Sequence, residues 1–508
     1  MRPAELRFQL TQIEAQIFKL ESELTLLQAE RQRIHRKLAD VVYPVLELPD
    51  EITSEIFVRY VGEAPNEVFL PYSDDYPPPI PSPVVLASVC SLWRNVALST
   101  PSLWTYFYHC PSQRPSPRPI MHLIDAMEKW LSRTGQLPLH LHIELPEAGT
   151  PEREQMLDLI SRHSSHWGVL DLASTIPIIF PPSIEGPLRC LTRFSLRIDE
   201  PDNSDLPALP LAPHVHAVHL VGVRYMDWST AIPWSQLTTL RVQEIGLGEF
   251  LSALEQAQNL EVLGFTSCRR LSDIITSPAR LLPRIHTLDL GPEGGHEIVP
   301  HLILPALNKL RLQAIEPEYP APIQELIARS GCTPTTLNLD VHDWRDVQEI
   351  DELLLSVPTT RHLELNCDDT EPTLEDFTNL FDAIAGSGDD AVYLPALTSF
   401  QINNCTTRIR LPPFVRMLAA RRNGGESVAQ LELFKVSFSQ EARVSGSAQP
   451  EEAAHQKVED LLAQLRDLRA GCLKLDIQFE TKGTTPLKRW DSDEINEKMI
   501  EEIYRPVD

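Results

Sequence analysis

The residues best suited to acid–base or metal chemistry are histidines crowded into two short segments. His140 and His142 stand two apart in one segment, and His214, His216 and His219 lie close together in another. A zinc site needs Cys, His, Asp or Glu partners at defined short spacings, and no such partner accompanies these histidines. Alternating histidines in a strand share one side of it, which is usually the solvent side. We therefore expect no metal site at either segment.

Motifs for nucleophilic or phosphate chemistry are also missing. The sequence contains no HExxH, no G-x-S-x-G and no glycine-rich phosphate loop. Its eight cysteines form no CxxC pair and no disulfide spacing, which is typical of reduced, mostly buried thiols in the cytosol or nucleus. We expect no catalytic residue, no cofactor and no enzymatic activity.

Composition favours a protein that binds other proteins. At 508 residues the chain is long enough for about three domains, and 42% hydrophobic residues suffice for a buried core. A formal net charge of −26 disfavours nucleic acids and anionic membrane surfaces, because phosphates attract Lys and Arg. We found no uncharged apolar run of 18 residues, and the N-terminus is charged, so neither a membrane span nor a signal peptide is expected.

A repeated pattern of the form Leu-x-x-Leu-x-Leu runs through most of the chain. Its final apolar positions recur at intervals of 22 to 27 residues, and these positions are Leu172, Leu196, Leu220, Val242, Phe265, Leu290, Leu312, Leu339 and Leu365. Weaker units lie near Leu141, Ile402, Leu433 and Leu475. Helical spacing between strands, as in 323–327 and 414–418, predicts an α/β fold. The period resembles that of leucine-rich repeats, which implies a solenoid with a parallel sheet on its concave side.

Polar residues between the strand leucines are predicted to line that concave face, because successive strand residues alternate sides. The charges run from basic in early units to acidic in later ones: Arg193, Arg197, His219, Arg241, Lys309 and Arg311, then Asp340, Glu364 and Glu432, with Asp289 an exception. One interpretation is a surface that orients a target protein, with Arg241, Lys309, Arg311 and Glu364 as its candidate contacts. The alternative is an ordinary solvated face.

Two short amphipathic segments lie before the repeats, at 44–57 and 83–104. They carry more aliphatic and aromatic surface than so few residues can bury among themselves, which favours a partner. In order they resemble an F-box, the module that docks a substrate receptor onto the Skp adaptor of a cullin-based ubiquitin ligase. The resemblance implies adaptor contacts at Leu48, Pro49, Ile52, Ile56, Phe57, Val89, Cys90, Trp93 and Trp104. A proline-rich insert at 63–83 departs from the pattern, and the alternative is a helical hairpin that packs on its own chain.

The first 42 residues carry a heptad pattern. Apolar residues alternate steps of four and three from Leu6 to Leu38, with Arg31 the single polar core position. Such strict 3.5 spacing favours a supercoiled partner helix, since a helix on a globular core drifts toward 3.6. A homodimer through residues 6–38 is one interpretation, and a helix folded back on its own chain is the other.

These patterns together predict five regions. They are a coiled-coil helix at 1–42, an F-box at 43–106, a linker and helix at 107–135, a leucine-rich-repeat solenoid at 136–480, and a capping helix or free tail at 481–508. The resemblance implies a substrate receptor that links a target protein to the Skp adaptor and, through it, to a cullin. A scaffold that binds the adaptor without ubiquitin transfer is the alternative.

Overall fold

The computed structural model describes fifteen stretches and a few single positions. These stretches are 48–62, 82–110, 120–176, 186–199, 212–223, 232–268, 278–292, 294–313, 319–340, 347–367, 374–385, 393–405, 411–423, 428–439 and 474–480. The chain divides into two compact units, Met1–Trp104 and Thr105–Asp508, which we call the helical unit and the sheet unit. Each unit is described by itself.

The helical unit contains three described helices and a short turn. They are α1 (Asp50–Val61), α2 (Pro83–Val89), α3 (Ser91–Ser99) and a 3-10 turn at Pro101–Trp104. Asp50 and Glu51 lie in the first turn of α1, where negative charge is favoured by the helix dipole. Gly62 ends α1 with a positive φ of 77°, and its amide donates to the Val58 carbonyl. The two ends of helix α1 are therefore explained by local residues, the acidic pair at its start and Gly62 at its end.

The second predicted helical segment is broken at Cys90. Ser82 caps α2 by accepting a hydrogen bond from the Val84 amide, and Pro83 occupies the first turn, where its missing N–H costs nothing. Cys90 has an extended backbone, and its Sγ accepts a hydrogen bond from the Trp93 amide at the start of α3. The sequence pattern predicts one continuous helix through Cys90, but this residue ends one helix and caps the next.

The sheet unit is built on parallel strands. In chain order they are β1 (Tyr106–His109), β2 (Leu139–Glu144), β3 (Trp167–Ser174), β4 (Arg193–Ile198), β5 (Ala217–Val221), β6 (Thr239–Ile245), β7 (Val262–Cys268), β8 (Arg280–Leu281), β9 (Thr287–Leu290), β10 (Leu302–Ile303), β11 (Lys309–Leu312), β12 (Thr336–Asp340), β13 (His362–Asn366), β14 (Ser399–Cys405), β15 (Leu433–Ser439) and β16 (Lys474–Glu480). Strands β8 and β10 pair with each other, and the remaining fourteen form one sheet.

The order of strands in the large sheet follows their order in the chain, from β1 at one edge to β16 at the other. The sheet is open, since its two edge strands do not pair. The repeat positions predicted from Leu172 to Leu365 lie in direct register on neighbouring strands, and Ile402 extends the row. The predicted α/β class with a large parallel sheet is confirmed.

Helices connect many of the strands. They are α4 (Ile120–Leu131), α5 (Pro151–Arg162), α6 (Leu247–Leu254), α7 (Pro320–Ser330), α8 (Val347–Ser356), α9 (Leu374–Ala385) and α10 (Leu411–Asn423). Their buried residues, such as Met127, Phe250 and Phe381, belong to one hydrophobic core together with the strand leucines. The helices that contribute to this core pack on one side of the sheet, and many of the alternate strand residues on the other side are polar.

The sheet begins one strand earlier than the repeat pattern predicts. Strand β1 lies in the predicted linker and pairs with β2, yet its sequence, Tyr-Phe-Tyr-His, carries no leucine that would reveal the repeat. Several predicted features lie outside the described residues: nearly all of the coiled coil at 1–42, most of the proline-rich insert, and the segment 481–508. Leu27 and Arg31 of the heptad pattern are described as helical and exposed. Within the described stretches, every helix is too short or too polar to traverse a bilayer.

Candidate functional site

One face of the helical unit is held together by aromatic packing. Phe57 and Trp104 are almost fully buried, and the ring of Phe57 meets that of Trp93 edge-on with centroids 5.0 Å apart. The Trp104 indole N–H donates to the Ala97 carbonyl at 2.8 Å, which ties the 3-10 turn to α3. Arg94 donates to the Ala87 carbonyl at 2.9 Å and ties α3 to α2. These contacts fix the three helices relative to one another.

The solvent-facing side of the same helices is unusually apolar. Ile52, Ile56 and Tyr60 follow one another at intervals of four residues along α1, and each is about half exposed (49%, 47% and 50%). Other exposed apolar side chains lie on α2 and α3: Val84, Val85, Val89, Leu92 and Leu98. We call these eight residues the aliphatic surface. Contiguous exposed apolar patches mark interaction sites, so these residues are the candidate interface of the helical unit.

The nine adaptor residues implied by the F-box resemblance are therefore divided between two environments. Ile52, Ile56 and Val89 belong to the aliphatic surface, and Pro49 is also exposed. Leu48, Cys90 and Trp93 are partly exposed. Phe57 and Trp104 are buried, so their side chains support the helices and offer little surface to a partner. The nine residues implied by the F-box resemblance did not include Tyr60, Val84, Val85 or Leu92. These four could have been found from the sequence, because they follow the same helical spacing.

The sheet unit carries its polar residues in one continuous row. The row contains residues that lie in direct register on adjacent strands, and from β1 to β14 they are Tyr108, His142, Asp171, Ser195, His219, Arg241, Gly264, Asp289, Arg311, Asn338, Glu364 and Gln401. We call it the polar row. Because side chains alternate along a strand, the row lies on the side opposite the helix-packed leucines.

The early part of the polar row contains a partly buried ion pair. His142 Nδ1 lies 2.7 Å from Asp171 Oδ2, and the ring of Tyr108 stacks on the imidazole at 4.7 Å. Burial alone lowers the pKa of His142, but the Asp171 carboxylate outweighs it and raises that pKa to about 9. His219 is buried on the other side of Asp171, and burial lowers its pKa to about 4. At neutral pH His142 is therefore charged and His219 neutral.

Arg241 and Asp289 are paired across an intervening strand. Their Nη2 and Oδ2 atoms lie 3.6 Å apart, and the Gln313 amide donates to the other Asp289 oxygen at 2.9 Å. Gly264 stands between them in register, and a Cβ atom at that position would lie 2.7 Å from Arg241 Cγ. Glycine thus leaves the space through which Arg241 reaches across β7.

The later part of the polar row is joined by charges and amides. Arg311 donates to Asp340 at 2.8 Å; burial lowers the pKa of Arg311, but the nearby carboxylates of Asp340 and Asp289 raise it overall. Both carboxylate oxygens of Glu364 accept amide hydrogen bonds at 2.7 Å, one from Asn338 and one from Asn403. Of the four candidate target contacts, Arg241, Arg311 and Glu364 therefore have partners within the sheet unit, and Lys309 lies partly exposed on β11.

The predicted change from basic to acidic along the face is more mixed in the structure. Asp171 and Asp289 lie among the early cations. The sequence of β3 alone shows no partner for Asp171. The partner, His142, stands 29 residues away and is found only through strand register. Among the described residues, no cluster of three His, Cys, Asp or Glu side chains has the geometry to hold a metal ion.

Known proteins offer no direct guide to the function of these two surfaces. Comparison with models of protein families gives no match to this chain, and comparison with curated proteins gives none either. Function must therefore be argued from the aliphatic surface and the polar row themselves.

Proposed function

We propose that this protein is the substrate-recognition subunit of a Skp–cullin–F-box ubiquitin ligase. In this proposal the helical unit binds the Skp adaptor and the sheet unit binds a target protein. The chain performs no bond chemistry, because its contribution is to hold the target near a charged ubiquitin-conjugating enzyme. Raising the effective concentration of target lysines is sufficient for such a role.

The aliphatic surface is the observation that carries the proposal. Ile52 and Ile56 were expected at an adaptor interface from the order of the F-box-like residues, and both remain about half exposed on a helix whose opposite side is buried. Val89, at the end of α2, is 58% exposed. An interface with a partner would bury these three solvent-facing aliphatic side chains, and this burial supports the proposal.

The finer architecture of the sheet unit belongs to the same proposal. A parallel sheet whose strand order equals chain order, with helices on one side, is what stacked leucine-rich repeats produce. We propose that the sheet unit is such a solenoid and that the polar row lines its concave face. A face of this length that carries a row of polar side chains supports target binding.

Capture of the Skp adaptor by the purified full-length chain tests the proposal. The test variant is Ile52→Asp/Ile56→Asp, which places charge in the aliphatic surface. The control is Leu137→Asp/Leu355→Asp, which changes two exposed leucines of the sheet unit (40% and 44% exposed) by the same chemistry. Circular dichroism verifies the fold of each variant first.

We expect the intact chain and the control to capture the adaptor, and the test variant to bind at least about tenfold more weakly, because charge in a desolvated interface is costly. Failure of the intact chain to capture the adaptor would contradict the proposal. Equal capture by a folded test variant would show that the aliphatic surface is not the interface. Capture without ubiquitin transfer to a bound target would favour the scaffold alternative.

A further inference from the structure

On the polar side of the sheet unit, Arg241 and Arg311 are more exposed to solvent than the carboxylates with which they pair. Five basic residues lie partly exposed on three strands of this side: Arg193 and Arg197 on β4, Arg241 on β6, and Lys309 and Arg311 on β11. We call these five the cationic stripe. The carboxylate placed among them in the polar row, Asp289, has only 3% of its side chain exposed.

Two ion pairs between described residues of the stripe and buried carboxylates show the same asymmetry. The Arg241 side chain is 25% exposed against 3% for Asp289, and the Arg311 side chain is 30% exposed against 8% for Asp340. The buried carboxylates hold the guanidinium groups in place, while a partner approaching from solvent meets the guanidinium groups. Arg197 differs, since its partner Asp199, 3.5 Å away, is exposed.

The dimensions of the stripe fit a short extended peptide. From β4 to β11 the sheet order contains five strand-to-strand steps, which at about 4.8 Å each span about 24 Å. An extended peptide advances about 3.3 Å per residue, so about seven residues cross the stripe. The planar guanidinium group of arginine can also form bidentate hydrogen bonds with a carboxylate. Such bonds favour an ordered complex over a diffuse charge contact.

We propose that the cationic stripe binds an extended, carboxylate-rich segment of a target protein, laid across β4 to β11. This inference rests on the proposed function, because it names the chemistry of the target that the sheet unit receives. The net charge of the whole chain, −26, repels acidic peptides elsewhere on its surface. Binding is therefore confined to the stripe and weakens as salt screens it.

The test measures fluorescence anisotropy of labelled peptides of about eight residues, a length set by the strand spacing, with the purified full-length chain. One peptide alternates Glu and Ser, a second replaces Glu by Gln, and a third replaces Glu by Gln and Ser by phosphoserine. The first protein variant is Arg241→Gln/Arg311→Gln. The second, Arg197→Gln/Lys309→Gln, leaves the partners of Asp289 and Asp340 intact and so guards against loss of folding.

The matched control is Arg162→Gln/Arg416→Gln. Arg162 lies on α5 and pairs with Asp158 and Glu128, and Arg416 lies on α10 and pairs with Asp382. The control therefore removes two cations and three surface ion pairs away from the stripe. Circular dichroism compares the folding of all variants with that of the intact chain.

We expect the Glu peptide to bind the intact chain and the control with equal affinity. It should bind each stripe variant at least about tenfold more weakly, because each charge-assisted hydrogen bond contributes a substantial part of the binding free energy. The Gln peptide should not bind, and about 300 mM salt should weaken the Glu complex several-fold. Binding of the phosphoserine peptide alone would overturn the carboxylate assignment. Equal affinity of the Glu peptide for the intact chain and for a folded stripe variant would show that the cationic stripe is not its binding site. Adaptor capture is measured separately, so a failed stripe leaves the proposed function intact.

Discussion

The helical unit and the sheet unit treat apolar residues in opposite ways. In the helical unit, Ile52, Ile56 and Val89 stay about half exposed although Phe57 and Trp104 beside them are buried. In the sheet unit, the strand leucines and the helix residues that cover them form one buried core. The difference follows from size, because three short helices enclose too little volume to bury every apolar side chain.

The two units also differ in what their polar groups do. In the sheet unit, the buried Arg421 and the partly buried Asp171 have partners on distant strands or loops. In the described part of the helical unit, the ion pair of Arg59 with Glu55 is local and exposed, and such pairs contribute little stability. The sheet unit therefore depends on long-range contacts, whereas the aliphatic surface is available to a partner. Four substitutions or conditions test this contrast, in decreasing order of expected effect.

Truncation of the sheet core should have the largest effect. Phe265 is fully buried on β7, with the ring of Phe250 at 6.1 Å. Phe265→Ala should lower the free energy of unfolding by about 4 kcal/mol, since it removes buried contacts and leaves a cavity. Urea unfolding followed by circular dichroism measures the change, and an unaltered midpoint would show that the core tolerates the cavity.

Removal of the Arg421 guanidinium should have the second-largest effect on stability. It is buried and donates to the Ile384 carbonyl at 2.7 Å and the Tyr393 carbonyl at 2.6 Å; burial lowers its pKa to about 10, so it stays charged at neutral pH. Arg421→Met should cost about 3 kcal/mol in urea unfolding, because the buried carbonyls lose their donors. Arg416→Met, on the exposed side of the same helix, is the control and should change little; equal effects in both variants would contradict the role of the buried carbonyls.

The His142–Asp171 pair makes the stability of the sheet unit depend on pH. The pKa of His142 is about 9 in the folded chain against 6.5 in the unfolded chain, so the charged histidine stabilises the fold below pH 6.5. That stabilisation is lost as the pH rises through 9, which amounts to about 2 to 3 kcal/mol. Unfolding midpoints between pH 6.5 and 9.5 should fall in the intact chain and stay flatter in His142→Gln. Parallel slopes in the two proteins would exclude this ion pair as the cause.

Substitution in the aliphatic surface should have the smallest effect on stability. Ile56→Ser should change the free energy of unfolding by less than about 0.5 kcal/mol, because its side chain is about half exposed. Its neighbour Phe57 is buried, and Phe57→Ser should be strongly destabilising by comparison. Thermal unfolding of both variants makes the test; a large loss in Ile56→Ser would mean that the surface is needed by the chain itself.

The strands were the most predictable part of the fold. The 22- to 27-residue period placed Leu172 through Leu365 in strands that pair in direct register. Apolar residues that alternate along a strand are a local property, and a regular interval between strands is visible without any knowledge of contacts. Helices α7 and α10 followed from the same reasoning.

Three features escaped the pattern for identifiable reasons. Strand β1 is aromatic rather than leucine-rich, so it has no repeat signature. Strands β8 and β10 have two residues each, which is too short for any periodicity. Cys90 divides the second helical segment because its thiol caps α3, and apolar spacing alone cannot show a change in backbone direction.

Sequence alone determined the α/β class, the position of most strands and the aliphatic residues of α1. Tertiary structure decided which of those residues are exposed and which charges are paired. His142 meets Asp171, and Arg241 meets Asp289, only because strands far apart in sequence align in register. Local pattern is encoded in neighbouring residues, whereas burial and charge pairing depend on the whole fold. The residues of the cationic stripe could be listed from the sequence. Only the structure shows that Asp289 and Asp340 are buried while Arg241 and Arg311 stay partly exposed.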